Sequence, residues 1–174
     1  MPTGSPCDTL LVVRPLLLTG PPASGKSTTA RALAGSLPLA AVIDVDDIRQ
    51  LVVAGHAAPW QGEAGRRQQR LGVENACDLA GRFVQAGIDV VVADVVTPAT
   101  AQIYRSRQSD LLVVGLRISF AEAARRATLR PFHLSGEEFR MLHQEQAHLD
   151  LADHVIDVDD LDLVAQVAAV RRLW

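Results

Sequence analysis

At 174 residues, with 48% hydrophobic and 21% charged side chains, the chain is long enough to bury one core of its own. Its formal net charge of −3 supplies no broad basic surface, which argues against long nucleic acid as a partner. Two cysteines, Cys7 and Cys77, are too few for a disulfide scaffold and have no metal-ligand spacing, so they read as reduced thiols of a cytoplasmic protein.

Residues 1–9 lack a basic n-region and read as a flexible N-terminal tail rather than a signal peptide. The apolar run that follows is broken by Arg14 and Pro15 and is too short to span a bilayer. Residues 10–174 form a single domain. Residues 10–19 predict a buried first strand that stops at Gly20, and 26–37 a helix that stops before Pro38. A second strand, 40–45, ends among Asp44, Asp46 and Asp47, and a short helix follows over 48–54. Residues 55–65 predict a loop, because Gly55, Pro59 and Gly62 break any period. Residues 66–86 predict a long amphipathic helix, with Leu71, Asn75, Leu79 and Phe83 four apart. A third strand over 88–93 ends at Asp94, and Pro98 opens a helix to 107. A fourth strand (111–118) precedes an arginine-rich helix, 121–130, closed by Pro131. Ser135 and Glu138 resemble a capping box for a helix to about 149. A fifth strand (154–158) and a last helix (161–173) complete the chain. Near-continuous Val, Ile and Leu strands alternating with helices predict a three-layer α/β/α fold with a five-stranded parallel sheet. A small helical lid is expected at about 121–135.

The segment Gly20-Pro21-Pro22-Ala23-Ser24-Gly25-Lys26-Ser27 matches the phosphate-loop pattern G-x-x-x-x-G-K-S between a strand and a helix. Lys26 is the one lysine of the chain; the other sixteen basic side chains are arginine. A compact ammonium enters a cradle of backbone N–H groups that a planar guanidinium is too wide for. Gly20, Ala23, Ser24, Gly25, Lys26, Ser27 and Thr28 are therefore the candidate nucleotide contacts, with the Ser27 hydroxyl placed for Mg²⁺. No N-K-x-D guanine reader is present, and no apolar strand ends in Asp-Glu, which leaves neither a GTPase nor a mechanical ATPase well supported.

Asp44, Asp46 and Asp47 leave the second strand at the sheet edge where ligands bind. One of the three is placed to take a proton from an attacking hydroxyl, with Arg49 beside it to hold the acceptor. Asp94, at the end of the third strand, would meet the acceptor hydroxyl or, through water, the magnesium. Asp47, Asp94 and Trp60 are the acceptor-side candidates. Trp60 and His56 make the 55–65 loop the expected specificity element. Arg126 and Arg130, four apart, share a helix face. His133, His143 and His148 read as surface residues.

These residues resemble the small P-loop kinases grouped with chloramphenicol phosphotransferase, zeta toxin and the 5′-hydroxyl kinase part of phage polynucleotide kinase. The resemblance is carried by residues 20–28, Asp46-Asp47-Ile48-Arg49-Gln50, Asp94, the Arg126/Arg130 pair and Phe139-Arg140-Met141. It implies an ATP- and Mg²⁺-dependent kinase whose acceptor is a hydroxyl of a small molecule, such as an antibiotic or a nucleoside-like compound. It also implies Asp46 as general base, Arg49 on the acceptor side, Arg130 as the charge-stabilising lid arginine, and Arg126 nearer the nucleotide. With Lys26, these form the expected catalytic set. A polynucleotide 5′-hydroxyl kinase is the alternative that the acidic charge disfavours. A non-catalytic nucleotide-binding module is the alternative that leaves Asp46 and Arg49 without a task.

Overall fold

The computed structural model describes residues 14–129, 134–146 and 151–174. Five strands, β1 (Leu16–Thr19), β2 (Ala40–Asp44), β3 (Asp89–Ala93), β4 (Leu112–Arg117) and β5 (His154–Asp157), form one sheet in the order β2-β3-β1-β4-β5. Every pairing is parallel, with Leu16 opposite both Val91 and Leu112. Helices α1 (Lys26–Ala34), α2 (Val45–Gln50), α3 (Gly62–Gln85), α4 (Pro98–Arg107), α5 (Phe120–Ala127), α6 (Gly136–Glu145) and α7 (Leu163–Arg171) connect and cover the strands. The three-layer α/β/α fold and the five-stranded parallel sheet are as expected.

The pleat of β1 divides the core. Leu16 and Leu18 face one layer together with Ala30, Leu33 and Val170, while Leu17 faces the other with Val73, Ala76, Ala80 and Tyr104. Both faces are thus covered, which is why these strands are apolar at every position rather than at alternate ones. Cys77 lies within the second layer, and burial pushes its thiol up to about 11, so it is an inert packing residue. Cys7 lies outside the described residues.

Most boundaries fall within a few residues of expectation. The informative shift is at α2, expected from residue 48 but starting at Val45. The Asp44 carboxylate caps it, accepting from the Asp46 N–H at 3.3 Å, so Asp46 and Asp47 lie in the first helical turn. Helix α3 likewise begins at Gly62 rather than 66. The expected capping box of α6 is present: Glu138 N–H donates to Ser135 Oγ, and Ser135 N–H donates to Glu138 Oε2 at 2.8 Å. Residues 147–149, read as its last turn, lie outside the described residues. Among the described residues, no helix is long and apolar enough to cross a membrane.

Candidate active site

The phosphate loop follows the central strand at the point where the chain order reverses across the sheet, between β3 and β4. Its backbone adopts unusual angles: φ is 141° at Gly20, 64° at Ala23 and 92° at Gly25. A Cβ on Gly20 would lie 2.4 Å from the Leu116 carbonyl oxygen, so only glycine lets the loop leave β1 this close to β4. Ala23 is held in the left-handed region at a cost of about 1–2 kcal/mol, a strain the loop sustains at a site built to present N–H groups. Gly25 caps α1 without a side chain, leaving the helix N-terminus open toward the cavity. The Lys26 ammonium reaches back across the loop, donating to the carbonyls of Gly20 at 2.8 Å and Pro21 at 3.0 Å.

A buried glutamine from the C-terminal helix, absent from the sequence expectations, supports this loop from behind. Gln166 is 3% exposed, and its Nε2 donates to the Ser24 carbonyl at 3.1 Å and to Thr29 Oγ1 at 2.8 Å. Its signal in the sequence is one polar residue within the otherwise apolar Leu163–Val170 run. Gln166→Leu is expected to cost about 1–3 kcal/mol in denaturant unfolding, because the Ser24 carbonyl is left unpaired and buried. The same variant should raise KM for the nucleotide more than KM for the acceptor, since the loop it steadies holds phosphate.

The three acids at the junction of β2 and α2 point to different places. Asp44 is engaged in the α2 cap and lies 3.6 Å from Arg31 Nη2. Asp47 lies 3.7 Å from the same guanidinium, is 70% exposed and does not line the cavity. Asp46 lines it, together with Lys26, Ser27, Thr28 and Arg49. Arg49 bridges two carboxylates, donating from Nη1 to Asp46 at 2.6 Å and from Nη2 to Asp94 at 2.7 Å. Gly72 of α3 gives the Arg49 stem room, since a Cβ there would be 3.0 Å from its Cγ. Burial works against the Arg49 charge, but Asp94 and Asp46 more than offset it, so the guanidinium is held above its ordinary pKa.

Asp94 departs from expectation. Its side chain is fully buried and does not line the cavity. Oδ1 accepts from Arg49 and from the Val95 N–H at 2.8 Å, and Oδ2 accepts from the Tyr104 hydroxyl at 3.0 Å. Burial pushes its carboxyl upward against the pull of Arg49. Buried and off the cavity wall, it anchors Arg49 in this arrangement.

A cavity of about 630 Å³ opens between the phosphate loop, α2, the 55–61 loop and α6. Trp60, His56 and Pro59 line it from the loop. The loop is tied to α3 through Gln68, which accepts from the Ala57 N–H at 2.9 Å and donates to the Gly55 carbonyl at 2.7 Å. The opposite wall is not foreseen by the sequence pattern: Leu134, Glu138, Leu142 and Glu145 all line the cavity. Positions 138, 142 and 145 are spaced i, i+4, i+7, the signature of one helix face. Trp60 from the loop and Glu138 from α6 thus line the same space.

Arg126 does not line this cavity. Its Nη2 donates to the Val158 carbonyl at 2.6 Å, and its Nε to Glu122 at 2.7 Å, tying α5 to the segment after β5. Hydrogen bonds from Arg125 and Arg126 lower the Glu122 carboxyl to about 2. Arg130, His133 and His148 lie outside the described residues. His143, read as a surface residue, is half-buried, with Nε2 3.0 Å from the Ile118 carbonyl and its ring edge-on to Phe120.

A family model described as AAA domain matches residues 16–130. No curated protein matches the sequence. Among solved structures, a sugar kinase from Janibacter sp. HTCC2649 superposes with a TM-score of 0.71 at 13% identity, over 93% of this chain and 94% of its own. The APS kinase of Mycobacterium tuberculosis, solved with AMPPNP and APS, gives a TM-score of 0.70 at 17% identity, over 92% and 96%. A shikimate kinase from Bacteroides thetaiotaomicron gives 0.68 at 18% identity, over 92% and 97%. At these identities the likeness is one of fold.

Proposed function

The chain belongs to the AAA-domain family, and on that premise we propose that it is a kinase, transferring the γ-phosphoryl group of ATP to a hydroxyl of a small molecule. The observation that carries this reading is the shared cavity. Lys26, Ser27 and Thr28 of the phosphate loop line it alongside Asp46, Arg49 and Trp60. A phosphate cradle alone would fit any nucleotide-binding module; a carboxylate and an aromatic facing the same space give a second substrate somewhere to bind. The fold shared with sugar, shikimate and APS kinases supports the same reading.

The chemistry then divides among the residues. The loop N–H groups and the N-terminus of α1 receive the triphosphate, and Lys26 exchanges its contacts with the Gly20 and Pro21 carbonyls for β- and γ-phosphate oxygens. The Ser27 hydroxyl, a hard oxygen donor at the start of α1 and on the cavity wall, suits Mg²⁺, which when bound neutralises charge on those oxygens. Asp46 accepts the proton of the acceptor hydroxyl as its oxygen bonds to phosphorus and the bond to the β-phosphate oxygen breaks. Arg49 orients Asp46 and is itself held by Asp94. Arg130 is assigned on the resemblance alone to the charge of the transferring group.

The test is transfer of label from γ-labelled ATP to a panel of hydroxyl compounds. Wild-type protein is expected to label at least one, and Lys26→Arg to lower the rate by about 10²–10³-fold, because a guanidinium keeps the charge but not the shape. Tight ATP binding with no transfer to any acceptor would sink the kinase reading. Transfer only to a single-stranded oligonucleotide would replace the small-molecule acceptor with a polynucleotide.

A further inference from the structure

We infer that the acceptor is a compact hydroxyl compound carrying a protonated amine on an apolar or aromatic body; the inference rests on the kinase reading for the word acceptor, but not for the binding preference. The basic side chains that line the cavity are Lys26, Arg49 and His56, and the acidic ones are Asp46, Glu138 and Glu145. Lys26 belongs to the phosphate loop. Arg49 is already shared between Asp46 at 2.6 Å and Asp94 at 2.7 Å, one guanidinium between two carboxylates. It therefore offers little to a third anion.

Two carboxylates on the α6 wall remain. Glu138 is held below the usual carboxylate range, first by its hydrogen bond from the Ser135 backbone. Glu145 makes no hydrogen bond or ion pair among the described residues. At i and i+7 they share one face of α6, and both line the cavity together with Asp46 and Trp60. An anionic acceptor entering here would face these acids and the triphosphate, with Arg49 already shared between two carboxylates, Lys26 given to the phosphate loop and only the His56 imidazole left on the lining to receive it. A cationic one would meet carboxylates on two walls. Pro59, Trp60, Leu134 and Leu142 supply the apolar part of the lining, suited to a ring or a short hydrocarbon body, and the indole face favours a nearby ammonium.

Three molecules of one shape separate the possibilities: 2-amino-1-phenylethanol (cationic), its N-acetyl derivative (neutral) and mandelate (anionic). Binding is read from Trp60 fluorescence in full-length protein carrying Trp174→Phe, at neutral pH and with a non-hydrolysable ATP analogue present. The amine is expected to bind at least about tenfold more tightly than the N-acetyl compound, and mandelate more weakly than either. Glu145→Gln, an exposed and isosteric change, should remove at least about half of that advantage while leaving affinity for the N-acetyl compound unchanged. Equal or tighter binding of mandelate, or an advantage that survives both Glu138→Gln and Glu145→Gln, would overturn the inference. Labelled-ATP transfer to the same three compounds keeps the two readings apart. Tight amine binding without transfer to it would count against the kinase reading and for the charge preference. Preferred transfer to mandelate would do the reverse.

Discussion

Asp46→Asn is expected to lower phosphoryl transfer by about 10²–10⁴-fold while ATP binding is retained. The substitution keeps size and an oxygen that accepts from Arg49 Nη1, so the 2.6 Å contact has a replacement and α2 keeps its cap from Asp44. What is lost is the basicity needed to take a proton from the attacking hydroxyl. The neighbouring acids serve as controls that the geometry makes unequal. Asp47→Asn should leave turnover nearly unchanged, because Asp47 is 70% exposed and outside the cavity, and its contact with Arg31 is a surface pair worth little. Asp44→Asn should be mild for a different reason, since asparagine caps helices about as well as aspartate. Steady-state transfer and nucleotide titration on the three variants read this directly. A transfer-dead Asp47→Asn with an active Asp46→Asn would reverse the assignment.

The second large effect is on stability. Asp94→Ala should cost about 3–5 kcal/mol of unfolding free energy, because it leaves the Arg49 guanidinium buried and without its main counter-charge. Arg49 Nε already lacks a partner, and Tyr104 would lose its acceptor in the same step. Against a typical total of about 5–15 kcal/mol, such a loss brings the fold near its limit. Tyr104→Phe, which removes one hydrogen bond and leaves the ion pair in place, should cost about 1 kcal/mol. The double variant Asp94→Leu with Arg49→Met removes both charges and is expected to recover much of the lost stability without recovering transfer. Urea unfolding of the four proteins, alongside transfer assays, separates the anchoring role of Asp94 from any direct part in chemistry. If Asp94→Ala unfolds like wild type, the buried pair does not hold the site together.

Residues that act through the backbone are legible in the amino-acid order itself. Gly20, Gly25 and Lys26 form a local pattern whose geometry depends on neighbours a few positions away, and the run of apolar strands alternating with helices dictates a covered parallel sheet wherever it occurs. Ser135 and Glu138 are legible for the same reason, since a capping box closes within one turn. Side-chain destinations across the fold are not. Asp94 reads as a strand-end acid at a ligand edge, yet it is turned inward, because the fold brings Arg49 of α2 and Tyr104 of α4 within hydrogen-bond reach of its carboxylate. Gln166, well over a hundred residues beyond the phosphate loop, supports it only because α7 packs on α1. The α6 wall with Glu138, Leu142 and Glu145 lines the cavity because the helix is held against the segments after β3 and β4, His143 at the Ile118 carbonyl and Gln146 at the Val96 carbonyl. The amino-acid sequence by itself thus determined the fold, the phosphate cradle and the set of acids near it. Only the tertiary structure decided which acid faces the cavity, which anchors Arg49 and what lines the far wall, because burial and pairing are set by contacts between segments distant along the chain, and no local period encodes them.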